Sequence, residues 1–381
     1  MKCFLLFLFN FALIPKFTIL TTPSYKYSKE YHTLVNWITI NGGYVSPKFK
    51  PVEIDKSNRY IIANEKINKN EELLFVPNKN CISFLHPLIN PLCRKLGDAE
   101  DLKTLFDCIL YYFTIDHFNK NSFFIPYYNY LPSLDINNFI IGFPKTKENS
   151  KLFFLTQLEN EIESFNHHFL GSKERLESFL PKQITDKQFL TNFLYIASRN
   201  FSRRGSEFFP ELNNLVPFFD LLNHYNNYNT YYYYNDERNG YILYSLEDIS
   251  PGNEITISYG KLTNSRLLGA YGFVLKNNKY KASYNLRIRN ELFTMKLTEN
   301  PKKEIITFLK SCFNVRRNEK KELLGEATKE LEKRMEELKK MKFDCKIEKI
   351  NICIEEVIEL MELYYRNIIV VLDEWNENLI N

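Results

Sequence analysis

Apolar residues follow two different spacings in the first part of the chain. From Tyr31 to Gly43 they recur at helical intervals, and two glycines end the pattern. From Val52 to Phe84 the apolar runs become short, as in Tyr60–Ala63 and Glu72–Val76, with a turn at Asn68–Asn70. The pattern predicts one amphipathic helix followed by two strands.

The middle of the chain returns to helical spacing and then back to strands. Asp101 to Phe201 is largely helical, and a loop at Ile125–Ser133 interrupts it. Turn signals at Asn239-Gly240 and Pro251-Gly252 then separate short β-runs. The predicted strands are Asn229–Tyr234, Tyr241–Tyr244 and Glu254–Tyr259.

After a last strand at Tyr284–Ile288, the remaining pattern is helical. Arg316–Lys342 alternates Lys and Glu, which is typical of a solvated helix with i,i+4 ion pairs. Ile350–Trp375 is more apolar. Strands, a long helical stretch, more strands and a helical tail together predict an α+β fold.

Composition narrows the class of protein. The chain has 381 residues, 44% of them hydrophobic, which is enough for two or three domains and excludes a disordered chain. A net charge of only +4 gives no sign of a nucleic-acid partner. The seven cysteines are widely spaced and form no Cys-x-x-Cys pair, so neither a zinc site nor a disulfide scaffold is predicted. We expect free, mostly buried thiols.

The N-terminal segment has the features of a targeting sequence. Phe4–Ile14 is apolar apart from Asn10 and lies between Lys2 and Lys16. It is too short to span a bilayer but has the length of a signal-peptide core, so a secretory or plastid-type location is one prediction. The alternative is a hydrophobic N-terminal helix of a cytoplasmic or nuclear protein. No stable membrane span is predicted elsewhere.

Two stretches carry the candidate chemistry. Asn214–His224 ends an apolar run on Asp220 and an Asn-His pair, and Glu254–Phe273 joins a tyrosine-ended strand to a helical stretch closing on Tyr271-Gly-Phe273. No glycine-rich phosphate loop, His-Glu-x-x-His or Gly-x-Ser-x-Gly motif accompanies them. Phosphate transfer, zinc proteolysis and serine hydrolysis therefore lack their usual signatures.

In the order and identity of their residues, these two stretches resemble the catalytic half of SET-domain methyltransferases, most closely the split-SET branch of the Rubisco large-subunit lysine methyltransferase. The resemblance implies a β-rich SET fold split by a helical insertion and followed by an all-α substrate-binding domain. The implied divisions are a hydrophobic segment at 1–22, SET portions at 23–95 and 196–285, an insertion at 96–195 and a helical domain at 286–381.

The resemblance also implies a function. It points to methyl transfer from S-adenosylmethionine to a lysine of a protein substrate, by a monomer that needs no metal. Two alternatives stay open. One is a catalytically inactive SET fold that binds proteins, and the other is methylation of histidine or an N-terminal amine.

The residues that match the family motifs acquire roles by the same resemblance. Tyr259 and Tyr271 would form the catalytic channel for the acceptor. Phe273 would lie beside the adenine, and Arg199 would contact the carboxylate side of the donor. The implied cofactor-binding residues are Arg199, Asp220, Asn223, His224, Phe273 and, more weakly, Ser133.

One departure from the family pattern lies in the first strand motif, Ser57–Ala63. Asn58 and Tyr60 stand where the family has glycines that let the backbone approach the donor. Asn tolerates a left-handed backbone, whereas a tyrosine side chain is large. We therefore expect Tyr60 to crowd the donor pocket, and this expectation favours the inactive alternative.

Overall fold

The structure is a computed structural model that describes residues 28–55, 57–93, 96, 102–143, 146–207, 212–312, 316–345 and 347–376. The predicted targeting segment 1–22, with Cys3, lies outside these ranges. The α-helices are Lys29–Ile40 (α1), Asn90–Cys93 (α2), Leu102–Asp116 (α3), Ile125–Tyr128 (α4), Lys147–Thr156 (α5), Glu159–Leu176 (α6), Asp186–Arg199 (α7), Asn264–Tyr271 (α8), Pro301–Ser311 (α9), Arg317–Asp344 (α10) and Glu348–Asn376 (α11).

The strands are short, and most are paired in small sheets. They are Tyr44–Val45 (β1), Phe49–Glu53 (β2), Arg59–Ala63 (β3), Glu72–Pro77 (β4), Asn200–Ser202 (β5), Asn213–Leu215 (β6), Asn223–His224 (β7), Thr230–Asn235 (β8), Gly240–Ser245 (β9), Thr256–Ile257 (β10), Tyr284–Ile288 (β11) and Glu291–Met295 (β12). The largest sheet is antiparallel with order β1-β4-β9-β8.

Helix α1 shows how local sequence signals define an element. The Ser28 side chain accepts the Tyr31 N–H at its start, and Gly42, with φ +82°, follows its end. Leu34 and Ile38 are buried on one face, as the four-residue spacing requires. The helix predicted at Tyr31–Gly43 is confirmed.

Two hydrophobic cores hold the molecule together. The first packs α1, α3 and α7 against the main sheet, with residues such as Phe113 and Leu243 fully buried. The second joins the tail helices to the β11–β12 hairpin and to Leu155 of α5. The helical insertion therefore contributes to both cores, and the domain boundaries given above stay predictions.

Three predictions about elements need correction. The chain is not wholly helical after Ile288, because β12 pairs with β11 across a two-residue turn in which Arg289 has φ +53°. That turn carries no glycine, so the sequence offered no hairpin signal. The predicted loop Ile125–Ser133 begins with α4, whose Pro126 occupies an early position that tolerates a missing N–H.

The third correction concerns the predicted strand Glu254–Tyr259, of which only β10 is formed. The Asn229 side chain accepts the Thr256 N–H (2.9 Å) and donates to the Glu254 carbonyl (2.8 Å). A side chain thus takes the backbone bonds that a neighbouring strand would otherwise make.

The cysteines of the described ranges are free, and all but Cys345 are buried, as the sequence predicted. Burial raises the pKa of the Cys353 thiol to about 12, so it stays protonated and unreactive. Among the described helices, none has the length and apolar character needed to cross a membrane.

Candidate functional site

A cavity of about 820 Å³ is lined by residues of strands β7, β8 and β10, of the segment 132–139 and of helices α7 and α11. Its volume falls in the range of ligand pockets in proteins. All eight residues predicted for the site line it: Ser133, Arg199, Asp220, Asn223, His224, Tyr259, Tyr271 and Phe273. Their roles stay predictions, but the structure brings them together.

A short parallel pairing places the two motif stretches side by side. Strand β7 pairs with β10, so that Asn223 lies opposite Thr256 and His224 opposite Ile257. The Asn223 amide also donates to Glu254 Oε1 at 2.9 Å. Because parallel strands cannot be joined by a tight turn, this contact depends on the intervening β8–β9 hairpin.

Four aromatic rings form the wall next to this pairing. The His224 ring stacks on Tyr259 with centroids 5.3 Å apart, and Tyr271 lies 4.9 Å from Tyr259. Phe273 is 6.4 Å from both His224 and Tyr259. Such spacings are those of favourable aromatic pairs, so the rings support one another in place.

The hydroxyl of Tyr259 donates to the Leu222 carbonyl at 2.9 Å. Burial is the largest cause that raises the pKa of Tyr259, and burial likewise raises the pKa of Tyr271. Both phenols are therefore neutral at physiological pH, and neither serves as a general base there. Their oxygen lone pairs can accept a hydrogen bond from an acceptor amine.

Burial lowers the pKa of His224, so its imidazole is neutral near pH 7. The ring Nδ1 accepts the Tyr259 N–H at 3.2 Å, which agrees with that charge state. Its Nε2 is buried and has no hydrogen-bond partner among the residues that the structure describes. A buried polar atom without a partner is costly, so this atom is available to a ligand.

Arg199 and Asp220, which also line the cavity, form a largely buried pair. Arg199 Nε lies 3.7 Å from Asp220 Oδ2, and Tyr127 donates to the same oxygen at 3.0 Å. Arg199 Nε and Asp220 Oδ1 are buried without hydrogen-bond partners. Burial raises the pKa of Asp220, and the Arg199 guanidinium opposes that rise.

The backbone just before Asp220 is strained. Phe218, two residues earlier, has φ +75° and is fully buried, with its ring stacked on Phe49 at 5.5 Å. A left-handed aromatic residue persists only where surrounding packing compensates its cost. Core packing therefore sets where the carboxylate enters the cavity.

The first strand motif contributes to the cavity through its beginning. Asn58 lines the cavity, and Ser57 Oγ lies 3.0 Å from the Ser133 hydroxyl. Tyr60 is not among the lining residues; it pairs with Val52 inside the β2–β3 ladder. The expectation that Tyr60 crowds the pocket is therefore wrong, because side chains alternate along a strand and its neighbour Arg59 lines the cavity.

The lining residues that sequence reasoning missed include two whose contacts bear on the site. Asn229 organises the backbone of the second motif, and Lys349 reaches the cavity from the first turn of α11. Lys349 stands in a lysine-rich stretch more than seventy residues after Phe273, so no local pattern distinguished it.

Comparison with known proteins identifies the architecture. The family model described as "SET domain" matches residues 58–260, which is more than half of the chain. A structure of Rubisco LSMT bound to sinefungin and monomethyllysine gives a TM-score of 0.66 at 16% identity, covering 92% of this chain and 94% of that one. The SET domain of LSMT bound to lysine and AdoHcy gives 0.60 at 14% identity, covering 91% and 92%.

No curated protein matches the sequence. The structural likeness at these identities establishes the fold, and it extends over both the strand-rich part and the helical tail. The predicted α+β class, with a split SET fold and a helical C-terminal region, is confirmed.

Proposed function

The chain belongs to the SET-domain family, and from that premise we propose that it is an S-adenosylmethionine-dependent methyltransferase acting on lysine in a protein substrate. The observation that carries the proposal is the cavity itself. It gathers the Asn-His strand, the paired tyrosines and the Arg199–Asp220 pair, which are separated along the chain by up to 72 residues.

The cavity residues fit the donor in size and in polarity. Arg199 Nε, Asp220 Oδ1 and His224 Nε2 are buried polar atoms that the protein leaves without hydrogen-bond partners. A methyl donor with a carboxylate, an ammonium group and a purine would form hydrogen bonds with such atoms, and Arg199 would bind the carboxylate. Asn223, His224 and Phe273 would hold the nucleoside, and Ser133 would contribute from the cavity rim. When bound, the donor supplies a methyl group on an electrophilic sulfonium.

The protein's own contribution is alignment and exclusion of water. Tyr259 and Tyr271 present neutral aromatic walls 4.9 Å apart between ring centroids. An acceptor lysine that packs against these rings loses hydration, which lowers the pKa of its ammonium and favours the neutral, nucleophilic amine. The Tyr259 oxygen is fixed by its bond to Leu222 and can orient that amine.

Related structures agree with this proposal. One similar structure is described as Rubisco LSMT bound to AdoMet, and another as an LSMT SET domain bound to lysine and AdoHcy. Because Tyr60 lies outside the cavity lining, the main feature that favoured an inactive protein-binding module is removed.

The test is methyl incorporation by the purified full chain, using labelled S-adenosylmethionine and protein extracts. We expect label on lysine side chains after complete hydrolysis of the product, and labelling about a hundredfold slower with Tyr259→Phe. Label on histidine or on an N-terminal amine would overturn the lysine assignment. Calorimetric donor binding without any incorporation would instead support a binding module, and absence of both would contradict the methyltransferase proposal.

A further inference from the structure

Lys349 connects the helical tail to the wall of the cavity. Of the described residues beyond Leu275, it is the one that lines the cavity. Its Nζ donates to the Gly272 carbonyl at 2.7 Å and to Asn138 Oδ1 at 3.0 Å. One ammonium group thus joins the tail, the insertion and the second motif stretch.

Gly272 is a sensitive place for such a contact. It ends helix α8 with φ +77°, a conformation that favours glycine, and a Cβ there would lie 3.1 Å from the Asn138 carbonyl oxygen. Carbonyls at a helix C-terminus lack intrahelical partners and carry partial negative charge, so an ammonium binds well there. The insertion and the end of α8 are therefore held in direct contact.

The position of Gly272 also determines where two cavity rings stand. Tyr271 and Phe273 are its immediate neighbours, with centroids 6.3 Å apart, and both pack near Tyr259. A shift of the Gly272 carbonyl moves both rings. In a reaction that depends on alignment, displacement of about 1 Å can reduce the rate by about a hundredfold.

We propose, resting on the proposed function, that Lys349 is a positioning residue for the acceptor channel. It fixes Tyr271 and Phe273 against Tyr259, and it makes turnover depend on how the helical tail is seated. Burial lowers the pKa of the half-buried Lys349 ammonium, while Asp135, which also lines the cavity, opposes that shift.

The chain offers a matched control. Lys276 Nζ lies 3.2 Å from Glu348, and this pair joins the same two segments but is exposed, at 76% and 75%. Lys349→Met keeps much of the side-chain stem and removes the cation, and Lys276→Met does the same at the control position. Lys349→Arg retains a cation able to donate to both oxygens.

We expect Lys349→Met to lower kcat about tenfold or more while KM for the protein substrate changes less than about threefold. Lys349→Arg should recover at least about half of kcat, and Lys276→Met should match the wild type. Equal kcat in Lys349→Met and the wild type would overturn the proposal. So would an equal loss in Lys276→Met, because that would indicate general loosening of the tail.

A second readout does not need turnover. In spectra of ¹³C-ring-labelled tyrosine, with Tyr271 assigned from Tyr271→Phe, Lys349→Met should shift the Tyr271 signal and Lys276→Met should not. An unmoved Tyr271 signal would contradict the positioning role. If the wild type transferred no methyl group, the proposed function would fail while this spectrum still tests Lys349. Should Lys349→Met not fold, Asn138→Ala removes one acceptor of the Lys349 ammonium and should shift the Tyr271 signal relative to the wild type, and an unmoved signal would again contradict the positioning role.

Discussion

Replacing Arg199 by Met leaves the Asp220 carboxylate buried without the cation that faces it. The side chains are 15% and 2% exposed, and 3.7 Å separates Arg199 Nε from Asp220 Oδ2. With an effective dielectric constant of about 20, unit charges at that separation attract by about 4 kcal/mol. Dehydration of the carboxylate offsets much of this attraction, as the raised pKa of Asp220 indicates.

From these opposing effects we expect Arg199→Met to lower the free energy of unfolding by about 3 kcal/mol, because the buried carboxylate loses its partner. Asp220→Asn keeps an acceptor for the Tyr127 hydroxyl and should cost less. The double variant should then show a coupling energy of about 1–3 kcal/mol, since the two groups interact directly.

Urea denaturation of the wild type, the two single variants and the double variant measures that coupling. The exposed pair Lys66–Asp248 provides the control, with a separation of 2.9 Å and exposures of 62% and 57%. Its coupling should not exceed about 1 kcal/mol. Calorimetry of the same proteins should show donor affinity reduced at least about tenfold in Arg199→Met. A coupling for Arg199–Asp220 no larger than that of the control would refute the reasoning.

Three further predictions follow from single side chains. Tyr259→Phe removes the bond to Leu222; it should cost about 1 kcal/mol of stability and about a hundredfold in kcat, and unchanged kcat would show that the hydroxyl plays no part. Because burial lowers the pKa of His224 in the folded protein, this imidazole becomes protonated in the unfolded chain at a higher pH than in the folded protein. Wild-type stability relative to His224→Asn should be highest above about pH 6.5 and decrease as the pH falls through the folded pKa, and a pH-independent difference would contradict this. Tyr60→Ala should leave calorimetric donor affinity within about twofold of the wild type, since Tyr60 lies outside the cavity lining; a larger rise would restore the crowded-pocket view.

Local sequence signals were sufficient to predict many of the helices and strands and several residues of the site. The four-residue spacing of Leu34 and Ile38 reflects one-sided burial that the sequence itself encodes. All eight residues that the sequence predicted for the site, six of them in the two motif stretches, likewise line the cavity. Local spacing did not predict the β11–β12 hairpin, whose turn has no glycine. It also did not predict that the Asn229 side chain takes backbone hydrogen bonds in the second motif stretch.

The sequence alone determined which chemical groups belong to the candidate site. Residue type and order along two short stretches are enough to show the resemblance to a family's motifs. The sequence did not determine which groups meet. Tyr60 was predicted to lie in the pocket but pairs within the β2–β3 ladder. No sequence pattern distinguished Lys349, which lines the cavity. Contacts between segments this far apart depend on the packing of two cores and on a parallel strand pair, which no local pattern records. Tertiary structure therefore decided the geometry of the site, including the bond that ties the helical tail to Gly272.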